Sequence, residues 1–260
     1  MDRRRICSLV LCARRPHSRY FSQHDRGPRV ESRGVPRTKL GGRDIFQPCD
    51  RHPTFRADLG VDENVFLLMY AGNLGPAQAL DGVIRAVALL EETERISLVL
   101  VGEGVEQERL QSLADDLAPG RIHFVPTVPA SEVPALMAAA DVQLLSLRDE
   151  PVFRHTMPSK IQSILASGQP VIACAPGDAG AVAVDSGAGW HVQPGNPQHL
   201  ADCILKAKAE GITGLQVRGG LAALHNRGCS WGLNPPVSSS DLAMVCRPRG
   251  YVDRFRESVL

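Results

Sequence analysis

The chain of 260 residues carries 29 lysines and arginines against 28 aspartates and glutamates, which gives a net charge of +1. This balance provides no electrostatic basis for binding nucleic acid, and no apolar run reaches the roughly 20 residues that a membrane-spanning helix needs. The seven cysteines show neither CxxC nor Cys/His ligand spacing. We therefore expect reduced thiols in a cytoplasmic protein, with neither a disulfide framework nor a zinc site.

Residues 1–55 are predicted to form a basic extension and linker. Residues 1–37 are rich in arginine and poor in acids, without a sustained hydrophobic period. This composition favours disorder over a targeting segment at the apolar run Ile6–Ala13. A short helix is expected over Arg51–Gly60, immediately before the core.

Residues 56–210 alternate between apolar strands and helices. Strands are predicted at Val65–Ala71, Ile96–Val101, Arg121–Val125, Val142–Ser146, Val171–Cys174 and Gly189–Val192. Helices are predicted at Ala79–Leu90, from the Gly102–Gly104 turn to Leu117, from an N-cap at Ser131 to Ala140, after Pro158, after a cap at Asp178, and at Asn196–Ala209. Continuous apolar strands that alternate with helices are typical of a parallel sheet covered on both faces. We predict an α/β fold with a doubly wound, Rossmann-like parallel sheet of about six strands.

Beyond Gly211 this alternation stops. Residues 211–260 are rich in glycine, arginine, proline and serine, and only Leu221–His225 and Tyr251–Leu260 suggest a helix. We predict an atypical tail of low order.

The stretch from Pro158 to Gly168 predicts a helix whose N-terminus can bind an anion. Proline suits the first helical position, and glycine suits the position after the last turn. Ser159 and Lys160 fall at the beginning of the helix. Because helix N-termini attract negative charge and a lysine adds a cation, this pattern indicates a phosphate-bearing ligand at the carboxyl edge of the sheet.

Five segments, in order, resemble the donor-binding half of family-four glycosyltransferases, which have the two-domain GT-B fold. They are YAGNLGPAQALDGVIRA (Tyr70–Ala86), LVLVGEGVEQERL (Leu98–Leu110), IHFVPTVPASEVPALMAAADVQLLSL (Ile122–Leu147), MPSKIQSILASGQPVIA (Met157–Ala173) and GAGWHVQPGNPQHLA (Gly187–Ala201). They look closest to the branch that makes bacterial surface polysaccharides, which includes transferases of N-acetylfucosamine-type sugars.

The resemblance implies that this half holds a nucleotide-sugar donor while a separate half holds a glycan or lipid-linked acceptor. Contacts to the diphosphate are implied for the first glycine turn and the start of the central helix: Gly72, Asn73, Gly75, Gln78, Pro158, Ser159 and Lys160. Many relatives carry Arg and Lys where this chain has Asn73 and Gln78. We therefore expect Lys160 and Arg154 to stabilise more of the charge on the leaving diphosphate.

Two glutamates of relatives correspond to His155 and Ser163 in this chain. His155, together with Arg154, is expected to approach the donor sugar, although an exposed loop residue explains His155 equally well. Gln162 or Ser163 would contact the ribose, and the segment that begins at Val125 would meet the base. Glu103 is better explained as a helix N-terminal acid than as a ligand. No Asp-x-Asp pair is present, so we expect no cofactor and a metal-independent transfer.

Three functions fit these observations. The first is a retaining glycosyltransferase of surface polysaccharide synthesis, cytoplasmic or at the inner face of the membrane. The second is a donor-binding module without catalysis of its own, or a remnant, because residues 1–53 are too short to build an acceptor half; its partner would be a separate acceptor-domain polypeptide. The third is a nucleotide-sugar epimerase, since one α/β scaffold hosts many chemistries.

Overall fold

The computed structural model describes residues 45–52, 54–154 and 156–228. Strands β1 to β6 lie at Phe66–Ala71, Ile96–Val101, Ile122–Val125, Val142–Ser146, Val171–Cys174 and Gly189–Val192. Helices α1 to α8 lie at Phe55–Asp58, Leu80–Leu89, Gln107–Leu117, Val133–Ala139, Ser159–Ala166, Asp178–Asp185, Pro197–Ala209 and Gly211–Gly228. Short 3-10 helices lie at Pro76–Gln78, Glu92–Glu94 and Pro151–Phe153.

The six strands form one parallel sheet in the order β3-β2-β1-β4-β5-β6, which confirms the predicted doubly wound architecture. Strands β1 and β2 pair along their whole length, from Phe66 opposite Ile96 to Ala71 opposite Val101. The ladder between β1 and β4 contains only two pairs, the last at Met69. The strand order reverses between these two strands, and a crevice for a ligand forms beyond the carboxyl ends of strands at such a switch point.

Two apolar layers cover the sheet. Side chains of Leu68 and Tyr70 on β1 pack in the layer that contains α2, α3 and α7. Leu67 and Met69 pack in the opposite layer, with α1, α4, α5 and α6. Because successive strand residues face opposite sides of a sheet and both sides are covered, the strands carry continuous apolar runs, as in other parallel sheets.

A buried ion pair attaches the short helix α1 to the amino ends of the strands. Arg56 is 3% exposed, and its guanidinium pairs with the carboxylate of Asp141 at 2.8 Å. The same guanidinium donates to the carbonyl oxygens of Val65 and Ala139, and Asp141 accepts the N–H of Leu67. These hydrogen bonds satisfy charges that would be costly to bury alone.

Three helix starts differ from the predictions. Helix α4 begins at Val133 after an N-cap at Glu132 that makes no side-chain cap, so Ser131 is not the cap. Pro158 is the N-cap of α5 rather than its first residue, because its ψ of 137° is extended. Asp178 is the first residue of α6, and the N-cap is the preceding glycine, whose φ is +64°.

The prediction of low order from Gly211 onward is wrong for α8, and residues 229–260 lie outside the described residues. Helix α8 packs on α5 and the turn after it, where a side chain at Gly219 would collide with the carbonyl of Gly168. Arg218 lies 4.1 Å above the ring of Trp190 and pairs with Glu210. Tertiary packing of this kind stabilises helices whose own sequence shows little periodicity.

Candidate functional site

A cavity of about 390 Å³ opens at the carboxyl edge of the sheet, beside the switch point. Its wall combines the turns after β1, β2 and β3 with the first residues of α5: Phe46, Ala71, Gly72, Asn73, Val101, Gly102, Glu103, Thr127, Val128, Val133, Met137, Ser159, Lys160 and Ser163. A second cavity of about 280 Å³ lies beside α2 and the start of α7 and contains none of the predicted site residues. The first cavity is therefore the candidate site.

Lys160 brings an amine to the floor of this cavity. Its Nζ lies 3.4 Å from the centroid of the Tyr70 ring, which is a cation–π contact. Helix α5 packs on one face of the sheet and Tyr70 on the other, so the lysine side chain reaches across the sheet edge. A Cβ placed on Gly72 would lie only 2.7 Å from this Nζ. The amine therefore contacts the first glycine turn.

The electrostatic setting of Lys160 favours an incoming anion. Within residues 45–52, 54–154 and 156–228, no carboxylate lies close enough to Lys160 for an ion pair. Burial lowers the pKa of its amine to about 7, because the charged form loses solvation that no protein anion replaces. A bound phosphate would supply the missing counter-charge and restore the protonated form.

The start of α5 adds backbone donors beside the lysine. The first backbone bond at this end runs from the N–H of Ile161 to the carbonyl of Pro158, at 3.2 Å. The N–H groups of Ser159 and Lys160 precede it, where a helix leaves its donors without internal acceptors. The hydroxyl of Ser163 donates to the carbonyl of Ser159 at 3.2 Å, so its oxygen keeps lone pairs for a ligand.

Two glycine turns pack backbone to backbone to shape the opposite wall. The N–H of Gly72 donates to Val101 at 2.8 Å, and the N–H of Leu74 donates to Glu103 at 2.9 Å. A Cβ on Gly102, whose φ is +139°, would collide with the carbonyl of Gly72. Glycine is required at Gly102 for this approach and for this backbone angle.

Side chains hold the first turn in shape. The Tyr70 hydroxyl donates to the carbonyl of Asn73 at 2.9 Å. The Gln78 side-chain oxygen accepts the N–H of Gly75 at 3.1 Å and lies 3.5 Å from the Asn73 amide nitrogen. Gln78 and Gly75 thus form the frame of the turn and do not line the cavity, whereas the exposed Asn73 does.

The structure brings together five of the twelve predicted site residues, namely Gly72, Asn73, Ser159, Lys160 and Ser163. Pro158 caps α5 next to them, and Gln162 is half-buried on the same helix. Val125 is half-buried at the end of β3, where its carbonyl accepts the N–H of Gly102 at 2.9 Å.

Of the two residues predicted to approach the donor sugar, only Arg154 lies within the described structure, and it does not line the cavity. Arg154 is exposed and lies 3.4 Å from Asp149, and its carbonyl accepts the N–H of Asp178 at the start of α6. This bond holds the Arg154 backbone against α6. His155 lies outside the described residues.

Thr127 and Val128 line the cavity just beyond Val125, within the segment that is expected to meet the base. Two other residues of the cavity were not among the predicted site residues. Glu103 lines the cavity and precedes α3, which begins only at Gln107, so it is not the helix N-terminal acid expected. Its position in a glycine turn at the end of a strand is the sequence feature that could have identified it. Phe46 lies far from the motifs in sequence, and nothing local marks it.

The described residues include no group of three or more His, Cys, Asp or Glu placed to hold a metal ion. Nor does the part of the chain that the structure covers include a helix long and apolar enough to cross a membrane. The positive charge at the cavity described above comes from Lys160 and the start of α5. The chemistry that this arrangement supports is the binding of a phosphate-bearing ligand.

Comparisons with known proteins agree with this geometry. The model of the family described as glycosyl transferases group 1 matches residues 52–217. The D-inositol 3-phosphate glycosyltransferase of a Nocardioides strain is 33% identical over 179 residues, which cover 62% of this chain and 38% of that protein. A putative colanic acid biosynthesis glycosyl transferase of Escherichia coli, WcaI, is 30% identical over 113 residues, or 44% of this chain and 27% of that protein.

Solved structures show the same fold. The crystal structure of HepE from Anabaena in complex with UDP-glucose has a TM-score of 0.59 and 23% identity, and the match covers 71% of this chain and 50% of that one. The chain thus spans half or less of the length of each of these three proteins. Because the family model covers more than half of the sequence and the sheet is the one that the family resemblance implies, the chain belongs to the glycosyl transferases group 1 family.

Proposed function

We propose that this chain provides the donor site of a glycosyltransferase that moves a sugar from a nucleoside diphosphate to a glycan or lipid-linked acceptor. The observation that carries the proposal is the Lys160 amine, held at a glycine turn in a cavity at the switch point without a carboxylate partner among the described residues. The solved relative from Anabaena is known in complex with UDP and with UDP-glucose, which supports a donor of this class.

Each group of the site has a role in this proposal. The Lys160 ammonium and the N–H groups that begin α5 neutralise the diphosphate as it leaves the sugar. Asn73 donates its amide to the same phosphates, and Gly72 lets them approach the backbone. Thr127 and Val128 offer a surface to the base, and Ser163 offers its hydroxyl to the ribose. Because the protein supplies this positive charge itself, we propose a transfer without a metal ion.

The biological setting is also a proposal. The similarity to a putative colanic acid biosynthesis enzyme supports a role in surface polysaccharide synthesis, as does the resemblance to the N-acetylfucosaminyltransferase-like branch. The same reasoning assigns the protein to the cytoplasm, at the inner face of the membrane, where lipid-linked acceptors are found. An acceptor half, in the same or a separate polypeptide, would complete the reaction.

A second candidate function is donor binding without catalysis. It is favoured by one observation: Ser163 stands in the cavity where relatives carry a glutamate, so the site has no carboxylate at this position. Under this alternative the chain binds a nucleoside diphosphate sugar and neither hydrolyses nor transfers it.

Calorimetric titration of the full chain with UDP, GDP and ADP, followed by assays of donor-sugar hydrolysis and transfer, tests these proposals. We expect at least one diphosphate to bind, and Lys160→Met to weaken its binding about 10- to 100-fold, the range for a hydrogen bond to a charged group. Lys206→Met, which changes an exposed lysine on α7, is the matched control. Diphosphate binding without donor hydrolysis, and without transfer to any acceptor that is tested, would favour the second function. Equal affinities for the two lysine variants would contradict the assignment of the diphosphate site to Lys160, on which both functions rest here.

A further inference from the structure

Tyr70 connects the cation of the site with the turn that faces it. Its ring lies 3.4 Å below Nζ of Lys160, and its hydroxyl donates to the carbonyl of Asn73 at 2.9 Å. Lys160 and Asn73 both line the cavity, whereas Tyr70 is fully buried beneath them. One buried side chain therefore contacts both residues that are proposed to bind the diphosphate.

Packing alone does not explain a hydroxyl at this position. The other buried residues of β1 that have large side chains are Phe66, Leu67, Leu68 and Met69, and all of them are apolar. A buried hydroxyl is costly unless it forms a hydrogen bond, and the Tyr70 hydroxyl donates one to the carbonyl of Asn73 in the turn. Burial also raises the pKa of Tyr70, so the phenol stays neutral and acts as a donor.

The ring also compensates a lysine that has lost much of its water. The face of an aromatic ring attracts a cation, and the attraction is stronger at desolvated sites. On its other side the amine lies against Gly72, where a Cβ would come within 2.7 Å of Nζ. The amine is thus confined between the ring and the glycine turn, and the open direction leads to the cavity.

We propose that Tyr70 is a positioning residue for the donor diphosphate. Its ring fixes the Lys160 ammonium at the glycine turn, and its hydroxyl fixes Asn73 on the other side of the phosphates. The inference rests on the proposed function, since it assumes that this cavity binds a diphosphate. It adds that one buried side chain, Tyr70, sets the distance between Lys160 and Asn73, the two groups proposed to bind the phosphates.

A double-mutant cycle on UDP affinity tests this role. Tyr70→Leu removes the ring, and we expect it to weaken UDP binding about 5- to 30-fold in the chain that retains Lys160. In the Lys160→Met background the same change should cost clearly less, because the ring then has no cation to hold and only the contribution of the hydroxyl to the turn remains. Uridine, which has no phosphates, should bind equally to all four proteins. Equal losses in the two backgrounds would overturn the inference.

Tyr70→Phe separates the ring from the hydroxyl. In the Tyr70→Phe background, Lys160→Met should weaken UDP binding by the same factor as in the wild type, because the ring that holds the cation remains. Tyr70→Phe by itself should lose only the affinity that comes from the hydrogen bond between the hydroxyl and the turn. A loss of the Lys160 effect in Tyr70→Phe would contradict the assignment of the cation to the ring.

One measurement needs no change at Tyr70 and stays informative if Tyr70→Leu does not fold. In the wild-type chain with ¹³C-labelled lysine, the ε-methylene of Lys160 should resonate upfield through the ring current. The signal is identified by its disappearance in Lys160→Met. An ordinary lysine shift for this signal would overturn the inference while leaving the proposed function intact. Failure of the wild-type chain to bind UDP, GDP or ADP would instead overturn the proposed function and this inference with it.

Discussion

Replacing Lys160 with methionine should make the protein more stable while weakening its ligand binding. The lysine is buried on an uncharged floor, and its amine has a pKa of about 7 instead of the ordinary 10.5. At 1.36 kcal/mol per pH unit this difference corresponds to about 5 kcal/mol of cost for the charged form. Methionine has a similar length, no charge and the flexibility to fill the same space.

The gain in stability should depend on pH with a defined sign. Below pH 7 Lys160 is protonated in both the folded and the unfolded chain, so the folded state bears the whole cost. Between pH 7 and 10.5 the unfolded chain binds more protons than the folded one, so the stability of the wild type rises with pH. The advantage of Lys160→Met should therefore be largest below pH 7 and shrink as the pH rises towards 10.

Urea unfolding of both proteins at pH 6, 7, 8 and 9, followed by circular dichroism, measures this difference. Lys206→Met is the control, since the lysine it replaces is exposed, and its stability should differ from wild type by less than about 0.5 kcal/mol at each pH. If Lys160→Met is no more stable than wild type at pH 6, or if its advantage does not change with pH, the amine is not buried as the structure shows.

Two further substitutions test the close approach of the two glycine turns and the attachment of α1. Gly102→Ala should lower the free energy of unfolding in urea by about 2–4 kcal/mol, because its φ is +139° and its Cβ would collide with the neighbouring turn. The control Gly120→Ala, with a φ of +74° and open space around it, should cost only about 1–2 kcal/mol. Equal costs for the two variants would refute the close approach of the turns. Asp141→Asn should cost about 3–5 kcal/mol by leaving the buried Arg56 without its counter-charge. Glu63→Gln, in an exposed pair, should cost less than about 1 kcal/mol, and a similar loss for both would show that the buried pair is not the anchor of α1.

Much of the fold could be predicted from local patterns. The continuous apolar runs identified all six strands, four of them with the bounds that the structure gives: Ile96–Val101, Val142–Ser146, Val171–Cys174 and Gly189–Val192. A parallel, doubly covered sheet follows from such runs alternating with helices. Helix α8 could not be found in this way, because its glycines and Arg218 interrupt the apolar period and its stability comes from contacts with α5 and Trp190.

The site was predictable where chemistry and position coincide in sequence. Lys160 at the start of a helix predicts an anion site, and the sequence also marks Gly72 as the turn that the Lys160 amine contacts. The resemblance implies a phosphate contact for Gln78, but the sequence did not predict that its side-chain oxygen accepts the N–H of Gly75, because this bond depends on the backbone of the turn. Tyr70 was hidden within an apolar strand, because its two polar contacts are visible only in three dimensions.

Proton uptake on diphosphate binding reports whether the Lys160 amine receives the phosphates. Titrating the wild-type chain with UDP at pH 8, in buffers of different ionisation enthalpy, gives the number of protons taken up. We expect about one proton for the wild type, because Lys160 is largely neutral in the free chain at this pH and protonated beside the phosphates. For Lys160→Met we expect close to none. Equal proton uptake by the two proteins would show that the Lys160 amine does not receive the diphosphate.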